Sequence, residues 1–133
     1  MKPAVIADTG PLYAAVDPDD RYHQRARREL KRLVRDRHEL VIAYPTLLES
    51  YTLLLYRLGR PTAQKWLNEV LMGAAFVNPT PEDYRDAAKK VLAFTDQEIT
   101  LFDATVAVLA DRLAFRVWTY DHHFDVMCAA VWR

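Results

Sequence analysis

Four near-continuous apolar runs constrain this chain more than any other feature: AVIAD (4–8), ELVIAY (39–44), AAFVN (74–78) and FRVWTYD (115–121). A strand with one wet face alternates apolar and polar residues. AVIAD does not alternate, so both its faces should be covered, the condition of strands in parallel sheets flanked by helices, and the other three runs are read as further strands. The segments between them carry helical spacing. DPDD (17–20) breaks the chain and caps a helix expected from Asp20 to Asp36, with Tyr22, Ala26, Leu30, Leu33 and Val34 apolar. GPLYAAV before it forms a short helix or a turn. Pro45 and Thr46 open a helix in which Leu47, Leu48, Tyr51, Leu54, Leu55 and Leu58 share a face, and Gly59 ends it. Pro61 starts another, to Met72, with Ala63, Trp66, Leu67, Val70 and Leu71 apolar. TPEDYRDAAKKVLAF (80–94) opens with a Thr cap, a Pro in first position and acids in the first turn. A last helix is expected over Leu101–Leu113, and AAVWR at the C-terminus is a candidate fifth strand at the sheet edge.

Strands alternating with helices predict an α/β fold, a three-layer α/β/α sandwich around a central, mostly parallel sheet of four to five strands. The 133 residues show no repeat, linker or low-complexity stretch, so residues 1–133 are read as one domain. A 51% hydrophobic composition supports one core and excludes disorder. Lys plus Arg and Asp plus Glu are 18 each, which argues against a simple polycation that coats nucleic acid. The single cysteine, Cys128, can build neither an internal disulfide nor a thiolate zinc site, and fits a reducing compartment. No secretory signal or membrane span is expected, which predicts a soluble cytoplasmic protein.

ITLFDATVAVLA (99–110) holds one charged side chain, Asp103, among apolar residues. A lone buried carboxylate needs a partner. In a parallel sheet, ligands bind beyond the carboxyl ends of the strands. Asp8 ends the first strand and Asp121 the fourth. Glu49 falls in the first turn of the helix after the second strand, off its apolar stripe, and Asp103 in the first turn of its own helix. Four carboxylates are therefore expected at one edge. They would resist ionising together unless a divalent cation joined them, and oxygen ligands suit magnesium or manganese. Such a site activates water and neutralises charge on a phosphodiester.

Each acid has a plainer reading. Asp103 alone is equally a helix-start acid boxed with Thr100. Asp8 before Thr9-Gly10-Pro11 is a turn former, Glu49 a solvated helix residue and Asp121 a strand-end turn. Thr9 and Thr119 lie beside two of the acids and could bond carboxylate or phosphate. Asp125 faces solvent or adds a fifth acid. His122 and His123 are read as packing or surface residues pointing different ways, with His122 at most touching substrate. Between Arg21 and Arg37 there are eight Arg or Lys against Glu29 and Asp36. Arg21, Arg25, Arg28, Arg32 and Arg35 recur at helical spacing, and such a row either tracks phosphates or is a solvated face.

VIADTGPLYAAVDPDDRYHQRA, PTLLESYTLLLYRLG, TLFDATVAVLADRL and VWTYDHHF resemble, in order and over nearly the whole chain, the motifs of PIN-domain proteins, above all VapC-type toxins. The resemblance implies a PIN fold and a metal-dependent endoribonuclease of a VapBC-type toxin–antitoxin pair. Such an enzyme hydrolyses RNA with a metal-activated water and leaves a 5′-phosphate and a 3′-hydroxyl. It puts the family's acids on Asp8, Glu49, Asp103 and Asp121, and the polar neighbours on Thr9 and Thr119. It also implies a homodimer and a VapB-type antitoxin. An acid at Asp125, where the family commonly carries a base, is a departure. Two other readings compete. One is a phosphatase with Asp8 as nucleophile, against which Gly10 stands where a second acid belongs. The other is a non-enzymatic RNA- or protein-binding module that uses the basic helix 21–37, with Arg25, Arg28 and Arg32 as its contacts.

Overall fold

The structure, a computed structural model, describes residues 3–133. In chain order the elements are β1 (Ala4–Ala7), α1 (Thr9–Ala14), α2 (His23–Arg35), β2 (Glu39–Ala43), α3 (Tyr44–Leu58), α4 (Arg60–Gly73), β3 (Ala75–Val77), α5 (Pro81–Ala93), α6 (Leu101–Leu113), β4 (Arg116–Trp118) and α7 (His123–Val126). The four strands are all parallel, in the order β3-β2-β1-β4. Ile6 is level with Val41 on one side and Val117 on the other.

The apolar runs are two-sided, as expected for AVIAD. Val5, Ala7, Ile42 and Trp118 pack with Leu12, Ala26, Leu33, Leu54 and Trp66 of α1 to α4. Ile6, Val41, Ala43 and Val117 turn the other way, onto Ala87, Ala104, Leu109 and Phe124 of α5 to α7. Helices thus cover both faces of the sheet, as the three-layer reading requires. Among the described residues, no helix is long and apolar enough to cross a membrane.

Several boundaries differ from the sequence-based expectation. α2 starts at His23 rather than Asp20, because Asp17 Oδ1 accepts the Asp19 N–H at 2.9 Å and Asp20 Oδ1 the Tyr22 N–H at 2.8 Å. These side-chain turns compete with a helical start. α3 begins directly at Tyr44 with Pro45 in its first turn, so Glu49 sits in the second turn, not the first. β4 stops at Trp118, and AAVWR contributes a single bridge, Val131 to Val117, rather than a strand. Val34, Leu48 and Leu71 face outward instead of joining their stripes. α5 carries the expected Thr80 cap, completed by Asp83 into a reciprocal capping box. Asp83 is buried and accepts two bonds from Arg112, each 2.8 Å, clamping α5 to α6.

Candidate active site

β1 lies where the connections diverge: the chain leaves it for β2 on one side, and β4 arrives on the other. Crevices open beyond the carboxyl ends of strands at such a switch point. Asp8 is there. Its backbone N–H still bonds the Trp118 carbonyl at 2.9 Å, and its next residue opens α1. The plain turn reading for Asp8 therefore fails, and the residue is buried, 6% exposed.

Thr119, just past β4, joins two of the acids. Its hydroxyl donates to Asp8 Oδ2 at 2.9 Å and accepts the Asp121 N–H at 3.0 Å. This bond curls the chain out of the sheet, which is why Asp121 stands three residues beyond the strand rather than at its end. Phe124, fully buried in α7, anchors the far side of that turn.

Asp103 sits in the first turn of α6. Its N–H donates to Thr100 Oγ1 at 3.0 Å. The reciprocal bond that completes a capping box, made at the start of α5, is not made here. Its carboxylate faces Asp8 and Asp121 instead. Burial and those two anions push it up to about 7 from 3.8. Asp8 is pushed up to about 6, chiefly by burial, with Asp121 and Glu49 adding to the rise and the Thr119 hydroxyl pulling it back. Carboxyls that share a crevice hold protons in this way, and the steps belong to the group rather than to one residue.

An open cleft of ≈ 550 Å³ contains all of this. Asp8, Asp20, Glu49, Asp103 and Asp121 line it, with Thr9, Tyr13, Tyr22, Tyr120, His122 and Arg57. The structure thus brings the four sequence-predicted acids and Thr9 into one cleft, with Thr119 bonded behind them. A donor set of carboxylate oxygens, with the His122 and His123 nitrogens beside Asp121, fits a divalent cation, and burial first and neighbouring anions second raise the Asp8 and Asp103 carboxyls.

The basic row fares differently. Arg25, Arg28 and Arg32 do not line the cleft. Arg25 lies over the Tyr120 ring at 4.5 Å and pairs with Glu29 at 3.5 Å, Arg32 lies over Trp132 at 4.2 Å, and Arg28 is exposed. Arg35 pairs with Asp36. Asp125 accepts both of its bonds from Arg133, away from the acids. The two histidines do not diverge: both Nδ1 atoms approach Asp121 Oδ1, at 3.8 Å for His122 and 3.3 Å for His123. Together with Asp121 they form a group whose donor atoms lie within 4.8 Å of one another. Sequence reasoning missed Arg57, the one arginine among the described residues that lines the cleft, and Asp20, Tyr22 and Tyr120.

The sequence pattern of the PIN domain runs through residues 5–130. The chain belongs to the PIN domain family. Among solved structures it is similar to VapC20 of Mycobacterium tuberculosis, a sarcin-ricin loop cleaving toxin, with a TM-score of 0.83, 20% identity, and 97% of this chain and 98% of that one covered. It is similar also to VapBC2 of Rickettsia felis, bound to a DNA fragment from their promoter (TM-score 0.76, 12% identity, 96% of each chain). FitAcB of Neisseria gonorrhoeae follows (TM-score 0.70, 16% identity, 97% of this chain and 96% of that one). No curated protein matches the sequence. The PIN fold accounts for the switch-point cleft: these neighbours share the architecture that puts it there.

Proposed function

We propose that this PIN domain, residues 1–133, is a cytoplasmic magnesium- or manganese-dependent endoribonuclease, the toxin of a VapBC-type pair. The observation that carries the reading is the convergence of Asp8, Glu49, Asp103 and Asp121 on one open cleft, where burial raises the Asp8 and Asp103 carboxyls and the neighbouring anions raise them further. Anions are gathered there at a cost in stability, and a divalent cation relieves it. Asp8, Asp103 and Asp121 would hold that ion, with Glu49 on the wall. The ion supplies charge neutralisation at a phosphodiester and a more acidic water. Thr119 keeps Asp8 and Asp121 in register through its two hydrogen bonds. Arg57, across the cleft, binds a neighbouring phosphate. Water adds to phosphorus as the bond to the 3′-oxygen breaks, the water's proton passes to solvent in the open cleft, the leaving 3′-oxygen takes up a proton from solvent, and the products carry a 5′-phosphate and a 3′-hydroxyl.

An RNA substrate is supported by the likeness to a toxin that cleaves the sarcin-ricin loop, and an antitoxin partner by the likeness to VapBC2. A homodimer is supported by apolar side chains left outward on α3 and α4, Leu48, Tyr56 and Met72. Incubation of total RNA with magnesium or with EDTA, using wild type, Asp8→Asn and Asp103→Asn, tests the reading. Cleavage by the wild type with magnesium alone is expected. Native-rate cleavage by either folded variant would overturn the assignment.

A further inference from the structure

Glu29 is a buried carboxylate that hydrolysis does not use. It comes from the middle of α2, and its Oε1 accepts the Trp118 Nε1–H at 3.2 Å and the Tyr120 hydroxyl at 2.5 Å. Arg25 pairs with the same oxygen at 3.5 Å. Above this buried anchor the molecule assembles a cluster of flat groups. The Tyr22 and Tyr120 rings lie 4.7 Å apart. The Arg25 guanidinium is 4.5 Å from the Tyr120 ring, and Arg21 is 4.5 Å from the Tyr22 ring, where it also donates to the Tyr22 hydroxyl. Both tyrosines are half-buried, and both line the cleft that holds Asp8, Asp103 and Asp121.

Aromatic rings and guanidinium planes beside a phosphate-handling site are the materials from which unpaired bases are held by stacking. We propose that Tyr22 and Tyr120, with Arg21 and Arg25, form a stacking platform for one unpaired nucleobase next to the scissile phosphate, and that Glu29 holds the platform in shape. This rests on the nuclease reading and deepens it: the substrate class is RNA with a splayed-out base at the cut, not duplex. The burial of Glu29 has a purpose on this account. Its three donors are Arg25 of α2, Trp118 at the end of β4 and Tyr120 just past it, so it ties the platform to the strand that leads to Asp121. Neutral charge on the rings makes the platform tolerant of base identity, while the flanking arginines add attraction to the backbone.

The test is binding of a fluorescein-labelled single-stranded oligoribonucleotide in EDTA, which blocks hydrolysis, followed by cleavage of the same strand with magnesium. Wild type, Tyr22→Leu, Tyr120→Leu and Tyr22→Trp are compared, with abasic sites walked along the strand. In the wild type one abasic position should weaken binding about tenfold. That penalty should vanish in Tyr22→Leu and Tyr120→Leu, which start about tenfold weaker, and return in Tyr22→Trp. Paired duplex of the same sequence should bind at least about tenfold more weakly than the single strand. Melting curves confirm that each variant is folded, and Tyr22→Trp carries the test if the leucine variants are not. An abasic penalty equal in wild type and folded leucine variants, or absent at every position, overturns the platform while cleavage by the wild type keeps the nuclease. Absence of any RNA cleavage by the wild type overturns both.

Discussion

Asp103→Asn should stabilise the metal-free protein while abolishing its cleavage of RNA. Asp103 stands in the first turn of α6 with Asp8 and Asp121 as anionic neighbours, and its carboxyl is pushed up to about 7 from 3.8. A group that binds its proton more tightly folded than unfolded favours the fold only while protonated there. The penalty therefore begins near pH 4, grows as pH rises, and is complete above about pH 7. A rise from 3.8 to about 7 corresponds to about 4 kcal/mol at about 1.4 kcal/mol per pH unit. Water in the open cleft screens the repulsion, and the start of α6 favours an anion, so about half, ~2 kcal/mol, is the expectation at pH 8. Replacing the carboxylate by an amide removes the charge and keeps the shape. In a chain of this size the gain is roughly 5–10 °C in Tm.

Thermal unfolding in EDTA at pH 5 and pH 8 measures it. The wild type should melt lower at pH 8 than at pH 5, and Asp103→Asn should be flatter and higher at pH 8. Added magnesium should raise the wild-type Tm by mass action and leave the variant almost unmoved. A variant that is less stable than the wild type at pH 8 in EDTA would refute the reasoning, because the carboxylates would then not be crowded.

Thr119→Val should lower cleavage about 10- to 100-fold, because Asp8 and Asp121 lose their shared hydroxyl, with Thr119→Ser restoring most of it; steady-state rates on one RNA check this. Asp83→Asn should destabilise by about 1–2 kcal/mol at pH 7 in urea, since Arg112 holds the 2%-exposed Asp83 carboxyl at about 2, and solvent at Arg112 trims the full value. That contribution is present above the ordinary aspartate range and fades as pH falls from about 4 towards 2, so the gap between wild type and variant should close there. Ala114→Gly should raise stability by about 0.5–1 kcal/mol in the same assay, because Ala114 caps α6 at φ 58, ψ 39, a left-handed conformation in which a Cβ is strained.

The acids and the strands were legible for one reason: each was an exception within its own neighbourhood. Asp8 closes an apolar run, Asp103 interrupts another, and burial on both faces writes a near-continuous apolar string into β1 and β2. Exceptions of that kind need no knowledge of the rest of the chain. Glu29 was illegible for the opposite reason. In sequence it is one acid in a basic helix, and a surface pairing with its neighbours explains it. Its deciding partners, Trp118 and Tyr120, lie 89 and 91 residues away. The same non-local packing turned Arg25 and Arg32 from a free row into side chains laid over Tyr120 and Trp132, while Arg57, isolated in an apolar helix, reached the cleft instead. Helical periodicity gives the direction of a side chain but not what the fold brings against it. β4 shows the limit from the other side: FRVWTYD reads as one strand, yet the Thr119 hydroxyl captures the Asp121 N–H and ends the ladder at Trp118. One side-chain bond therefore shortens the strand and, by the same stroke, turns Asp121 towards Asp8 and Asp103, so the feature least visible in the apolar pattern is the one that assembles the acids.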